Sequence, residues 1–157
     1  MERISPVLRL TIPAIMFGMI AAISFIEAPL KFLAPGITIE LGLGIGRLVF
    51  TALNISTVVL MVVLTVACMR PRVSRGEFGV LIALWAVVVL EVLVVRPMLN
   101  ARTDAVLAGT ADSGSILHYL YIACDVAILG LLVAFVVLAA RSILPVPQRT
   151  PPADILR

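Results

Sequence analysis

The chain has 157 residues, of which 62% are hydrophobic and only 13% are charged, so an ordinary soluble globular domain is excluded. The formal net charge is +3, but the basic residues lie beside the apolar segments. This placement is typical of a membrane-topology signal and argues against a nucleic-acid partner.

Four apolar segments follow one another along the chain. A hydrocarbon layer about 30 Å thick is crossed by about 20 mainly apolar residues in helical form. The segments are residues 8–33, 48–69, 78–95 and 117–140. We therefore predict an all-α integral membrane four-helix bundle that occupies residues 1–144 as one domain. The proline-rich residues 145–157 are predicted to form a cytoplasmic tail without a core.

The first segment has a competing interpretation as a cleaved signal peptide, with Ala22-Ile23-Ser24 as the cleavage site. Its apolar stretch is longer than the usual h-region and continues beyond that site, which favours a retained span. Near its end, Glu27 and Lys31 are four residues apart, so we predict that they pair on one helix face. Pro29 is predicted to bend this last turn.

A glycine-rich outer connection precedes the second span. Gly42, Gly44 and Gly46 lack the strand and the spacing of a phosphate-binding loop, so we predict flexible backbone or close helix contact there. Arg47 is expected near the outer membrane interface, with Asn54 about 10 Å deeper on the same stripe.

The third span is flanked by two polar connections. The basic residues 70–77 before it are predicted to form a short cytoplasmic hairpin. The span itself is predicted to hold Glu91 and to close at Arg96-Pro97. The polar residues 98–116 after it are predicted to be a lid or a partner surface.

The fourth span opens with His118, and Asp125 follows seven residues later on roughly the same helix face. Cys124 lies in the outer half of this span, whereas Cys68 lies at the cytoplasmic end of the second span. We therefore expect the two thiols to be too far apart to form a disulfide.

Stacking the four helices in alternating directions would gather eight polar side chains in the outer half of the bundle. They are Glu27, Lys31, Arg47, Asn54, Glu91, Arg96, His118 and Asp125. Such groups are costly against lipid, so they should face one another or water. Three acids and three bases favour an ion-pair network, and a binding or transport site using some of them stays open. The inner halves are expected to be almost bare of charge.

Several chemistries can be weighed against this cluster. A bis-histidine haem needs two imidazoles, whereas His118 is the single histidine of the chain. A metal held by His118 and Asp125 would need a third ligand, and no compact ligand motif is present. A proton or small-solute path through Glu91, Asp125 and His118 is also conceivable. No catalytic residue and no metal site are predicted, and the question of a cofactor stays open.

Counting basic residues predicts the orientation. Eight of the 12 Lys and Arg residues lie in the N-terminus, the 70–77 connection and the tail. The positive-inside rule therefore predicts a multi-pass protein of the bacterial cytoplasmic (inner) membrane with both termini in the cytoplasm.

A set of short landmarks is spread across residues 10–140. They are Pro29, Phe32, Gly46-Arg47, Phe50, Pro97, Asn100, Arg102 and Leu117-His118. This set resembles a family of bacterial four-span membrane proteins of unknown function, which is distantly similar to the transmembrane-protein-205 group. The resemblance implies the four-span architecture and a fourth helix that starts at the Leu-His pair, but no reaction. Tyr119-Leu-Tyr121 departs from the small or hydroxyl residues of that family.

Three functions are compatible with these observations. The first is a non-enzymatic accessory or scaffold subunit whose outer polar cluster holds the helices in register. The second is an oligomeric permeation protein for protons or small solutes, and the third is a metal- or haem-binding redox subunit. The predicted partners are the lipid bilayer and either further copies of the chain or a larger membrane complex.

Overall fold

A computed structural model describes residues 4–69, 72–110 and 116–144. Within these ranges the chain forms four long helices and no strand. They are α1 (Ile4–Leu33), α2 (Ile39–Met69), α3 (Arg75–Leu107) and α4 (Ile116–Ile143). Each is long and apolar enough to cross a membrane. The predicted all-α four-helix bundle of a membrane protein is confirmed, while the predicted tail, 145–157, lies outside the described residues.

The four helices pack side by side in alternating directions. α1 packs along both α2 and α4, and α3 packs along α4, whereas α2 and α3 have less contact with each other. The bundle has a terminal end, which holds Ile4, Met69, Arg75 and Ile143, and a distal end, which holds Leu33, Ile39, Leu107 and Ile116. Fully buried apolar side chains fill the centre, among them Met16, Leu64, Leu84 and Phe135.

The outside of the bundle is apolar as well. Leu48, Val66 and Leu93 are each more than 60% exposed, and many other large apolar side chains point outward along all four helices. A water-soluble protein rarely exposes so much contiguous apolar surface. This surface is the one that acyl chains would cover.

α3 is longer than predicted because it does not close at Arg96-Pro97. Its backbone widens into π-helical turns over Glu91–Val95 and then continues as α-helix through Arg96–Leu107. A helical proline normally clashes with the carbonyl four residues earlier. Here the Arg96 N–H donates to the carbonyl of Glu91, five residues back, and the wider turn accommodates Pro97. At about 1.5 Å per residue the helix is about 50 Å long, so its polar last turns reach beyond the hydrocarbon layer.

α1 also contains a π-helical segment directly before a proline. It is π-helical over Ala21–Glu27, where the Ala28 N–H donates to the carbonyl of Ile23, and Pro29 follows. The widened helix continues past Pro29 to Leu33, and the bend at Pro29 stays a prediction.

α2 begins at Ile39, before the predicted start at residue 48, so the glycine-rich segment is helical and is not a flexible connection. Gly42 and Gly46 are both buried. A Cβ atom at Gly42 would collide with the ring of Phe32, which shows that α1 and α2 approach closely there. The predicted alternative of close helix contact is the correct one.

α3 also begins before its predicted start, at Arg75, because Ser74 and Glu77 form a capping box. The Ser74 hydroxyl accepts from the Glu77 N–H at 3.2 Å, and the Glu77 carboxylate accepts from the Ser74 N–H at 2.8 Å. The last residues of the predicted 70–77 hairpin are therefore the first turn of the helix, and Arg70 lies outside the described residues.

Candidate functional site

A cavity of about 430 Å³ lies at the distal end, where all four helices contribute to its wall. Its lining includes the cations Lys31, Arg47 and Arg96 together with His118, and among the described residues it includes no carboxylate. Serine, asparagine and threonine side chains add neutral polar groups, while Phe25, Phe32 and Phe50 add aromatic surface. We call this space the distal cavity. Convergent cations with apolar walls are typical of a pocket for an anionic ligand.

Arg96 is the most firmly positioned of these cations. Its guanidinium donates to the carbonyl oxygen of Arg47 at 2.8 Å and to the hydroxyl of Thr51 at 3.0 Å. It also lies over the ring of Phe50, with Cζ 5.7 Å from the ring centroid. The residue is only 8% exposed. No carboxylate of the described residues lies within ion-pair distance of it. Its positive charge is therefore held in place without a carboxylate at ion-pair distance, and Glu91 is close enough to interact with it electrostatically.

The other two cations are paired. Lys31 Nζ lies 3.4 Å from a carboxylate oxygen of Glu27, as predicted, and also lies near the Phe32 and Phe50 rings. Arg47 pairs at 2.5 Å with Asp104, an acid outside the predicted cluster. This pairing arises because α3 continues past the predicted stop and carries Asp104 over α2.

Glu91 and Asp125 are buried in the bundle, with 4% and 1% of their surfaces exposed. They are close enough to interact electrostatically. One oxygen of each, Glu91 Oε2 and Asp125 Oδ2, has no hydrogen-bond partner. Tyr121 lies beside Glu91 and donates to Asn54 Oδ1 at 3.2 Å. The two acids thus face the bundle interior and not the acyl chains.

The eight predicted residues are therefore only partly brought together. Lys31, Arg47, Arg96 and His118 line the distal cavity, with His118 at its exposed rim. The other four lie beside or beneath it: Glu27, Asn54, Glu91 and Asp125. Glu91 interacts electrostatically with Arg96 and Asp125 beyond ion-pair distance, so the predicted network is seen only in part. Among the described residues, Glu27–Lys31 is the one ion pair between members of the set.

One charged pair lies in the half of the bundle that was expected to be almost bare of charge. Arg9 and Glu77 form a buried ion pair near the terminal end, between α1 and α3. Ser142 of α4 donates to the same Glu77 oxygen at 3.3 Å. Arg9 looked like a topology signal and Glu77 like a loop residue in the sequence. The capping-box pattern at Ser74 and Glu77 was the local signal that the helix begins earlier.

Metal and disulfide chemistry find no support in the part of the chain that the structure describes. No group of three or more His, Cys, Asp or Glu side chains there could hold a metal ion. Cys68 and Cys124 are both buried and free.

Comparisons of the chain with protein-family models, curated proteins and solved structures gave no match. The resemblance to the four-span family stays a prediction.

Proposed function

We propose that this chain is a non-enzymatic multi-pass membrane protein that binds a small anionic group in the distal cavity, as an accessory or scaffold subunit. The supporting observation is the lining of that cavity, which has three cations and no carboxylate within the part of the chain that the structure describes. Two of the cations already have acidic partners, so Arg96 is the group that an anion would meet.

Arg96 is suited to this role by its chemistry and by its setting. A guanidinium offers planar N–H donors that match a carboxylate or a phosphate. Its hydrogen bonds to Arg47 and Thr51 fix its orientation before any ligand arrives, which lowers the entropic cost of binding. The partly enclosed cavity weakens the competition from water, so a charge-assisted hydrogen bond there contributes about 1.5–3 kcal/mol.

The test is ligand-dependent stabilisation of the purified chain in a neutral detergent. Glycerol 3-phosphate and acetate are the anionic probes, and glycerol is the neutral control. At a concentration about ten times Kd, binding should add about 1.4 kcal/mol and raise the melting temperature by about 3 °C or more. We expect Arg96→Gln to weaken binding about tenfold or more. The glutamine amide removes the positive charge but is still a hydrogen-bond donor, like the guanidinium that bonds the Arg47 carbonyl and the Thr51 hydroxyl. The exposed Arg75→Gln at the terminal end is the matched control. Anions that stabilise no better than glycerol, or equally in Arg96→Gln, would refute the proposal.

The buried acids favour a second candidate, proton or small-solute permeation by an oligomer. Glu91 and Asp125 lie beneath the distal cavity, and each has an oxygen without a partner, so either could accept a proton. Proton flux into liposomes that contain the purified chain tests this candidate. Flux that falls about tenfold in Glu91→Gln and Asp125→Asn, relative to Glu40→Gln on the exposed start of α2, would support it. A proton flux into wild-type liposomes no greater than that into empty liposomes would refute this candidate.

The location in the bacterial inner membrane and the cytoplasmic position of both termini are part of the same proposal. They rest on the bias of the basic residues toward the terminal end. A green fluorescent protein fused after the last residue should fluoresce, because this reporter folds in the cytoplasm but not after export. A silent fusion at the C-terminus, together with an active alkaline phosphatase fusion there, would reverse the orientation.

A further inference from the structure

A second cavity adjoins the distal cavity and opens sideways between α2 and α3. It has a volume of about 350 Å³ and we call it the lateral groove. Its lining is Thr51, Asn54, Ile55, Val58, Val59, Val92, Arg96 and Asn100. Arg96 and Asn100 line both spaces, so the cavity and the groove meet at these two side chains. α2 and α3 have less contact with each other than the other neighbouring helices have, which leaves room for the groove.

The groove changes from polar to apolar along its length. Arg96, Asn100 and Thr51 lie toward the distal end, while Val58 lies seven residues deeper along α2, at about 10 Å. Ile55 and Val59 are 61% and 55% exposed, so the groove opens on the surface that faces the acyl chains. The groove therefore has a cationic group at its distal end and apolar walls deeper in the bundle. An anionic lipid has the matching arrangement, with its charge at the interface and its acyl chain inside the membrane.

Asn54, in the wall of the groove, has an unpaired hydrogen-bond donor. It is 7% exposed, and its oxygen accepts from Tyr121, but its Nδ2 has no partner. An unpaired buried donor destabilises the protein, so a hydrogen bond from Asn54 to an acceptor on the ligand would favour binding. An ester carbonyl lies at such a depth in a glycerolipid, just below the head group.

We propose that the occupant is one anionic phospholipid, with its head group in the distal cavity at Arg96 and one acyl chain in the lateral groove. This deepens the anion binding proposed above and rests on it. The charge complementarity at Arg96, the lateral opening and the unpaired donor of Asn54 together select a lipid over a free anion, because a free anion would use the cavity and leave the groove unfilled.

Native mass spectrometry of the full chain in dodecyl maltoside tests the proposal. Dioleoyl phosphatidylglycerol and dioleoyl phosphatidylcholine are added in equal amounts, since they share their chains and differ in net charge. The wild type should retain one phosphatidylglycerol about tenfold more than phosphatidylcholine. Val59→Phe places a ring in the groove without touching the core, and Val66→Phe is its matched control on the lipid-facing surface of the same helix.

The variants separate this inference from the function on which it rests. Val59→Phe should lose about tenfold in phosphatidylglycerol retention yet keep its stabilisation by glycerol 3-phosphate, and Val66→Phe should keep both. Arg96→Gln should lose both. The lipid assignment would be overturned if Val59→Phe and Val66→Phe retained phosphatidylglycerol equally, or if the wild type retained the two lipids equally. Neither result would contradict the binding of a small anion. A dimer that disappears in Val59→Phe would also overturn it, because a second copy would then fill the groove.

Discussion

The ion pair between Arg9 and Glu77 offers the sharpest test of how the bundle is held together. Glu77 is 0% exposed, and its carboxylate accepts hydrogen bonds from the Arg9 guanidinium, the Ser142 hydroxyl and the Ser74 N–H. Arg9→Met would leave this charge buried with hydrogen bonds but no counter-charge. Breaking a buried pair by removing one partner costs about 3–5 kcal/mol, so we expect the free energy of unfolding to fall by about that amount.

A second substitution, Glu77→Gln, is expected to change the free energy of unfolding in opposite directions in the wild type and in Arg9→Met. Glu77→Gln alone should destabilise the wild type, because it leaves Arg9 unpaired. In the Arg9→Met background the same change should stabilise the chain by about 1–3 kcal/mol, because it removes the uncompensated charge. The glutamine oxygen can still accept from the Ser74 N–H, so the cap is kept.

Unfolding in mixed micelles of dodecyl maltoside and sodium dodecyl sulfate can be followed through the fluorescence of Trp85, the single tryptophan. Arg75→Met, at an exposed position of the same terminal end, is the matched control and should change the free energy of unfolding by about 0.5 kcal/mol or less. The reasoning fails if Arg9→Met resembles this control, or if adding Glu77→Gln to it brings further loss.

Two further predictions concern close contacts between helices. Gly42→Ala should lower the free energy of unfolding by about 1–3 kcal/mol because its methyl group meets the Phe32 ring, whereas Gly46→Ala meets only the flexible tip of a lysine and should be neutral or stabilising. Equal effects in chemical unfolding would contradict this contrast. Trp85 Nε1 donates to Thr65 Oγ1 at 2.9 Å, so Thr65→Val should cost about 1 kcal/mol by circular-dichroism unfolding, and combining it with Trp85→Phe should cost clearly less than the sum.

The number and the alternating order of the helices could be predicted from the sequence, because apolar runs of spanning length have few other uses. Their ends could not. Gly42 and Pro97 each suggested a break, since both residue types weaken helices in water. In the structure, close contact with Phe32 occupies the space at Gly42, and a widened turn accommodates Pro97. Helix extent thus depended on tertiary packing, which the local pattern does not contain.

The candidate site was predictable to a similar degree. Burial of Glu91 and Asp125 followed from the cost of charge in lipid, and the Glu27–Lys31 pair followed from helical spacing. The partner of Arg47 did not, because Asp104 was expected in a connection and lies on a helix. One misplaced helix end therefore changed which charges are paired, and among the described residues it left Arg96 without a carboxylate at ion-pair distance.

The widened turn of α3 explains why Glu91 and Arg96 are both buried. On a regular α-helix, residues five apart point about 140° away from each other, so one of the two charges would face lipid. A hydrogen bond to the fifth preceding residue narrows the angle between positions five apart, and the Arg96 N–H makes that bond to the Glu91 carbonyl. Pro97 favours this geometry, since its ring cannot tolerate the regular one. The same proline that suggested a helix end thus turns the acid and the base inward together, one into the bundle and the other to the wall of the distal cavity.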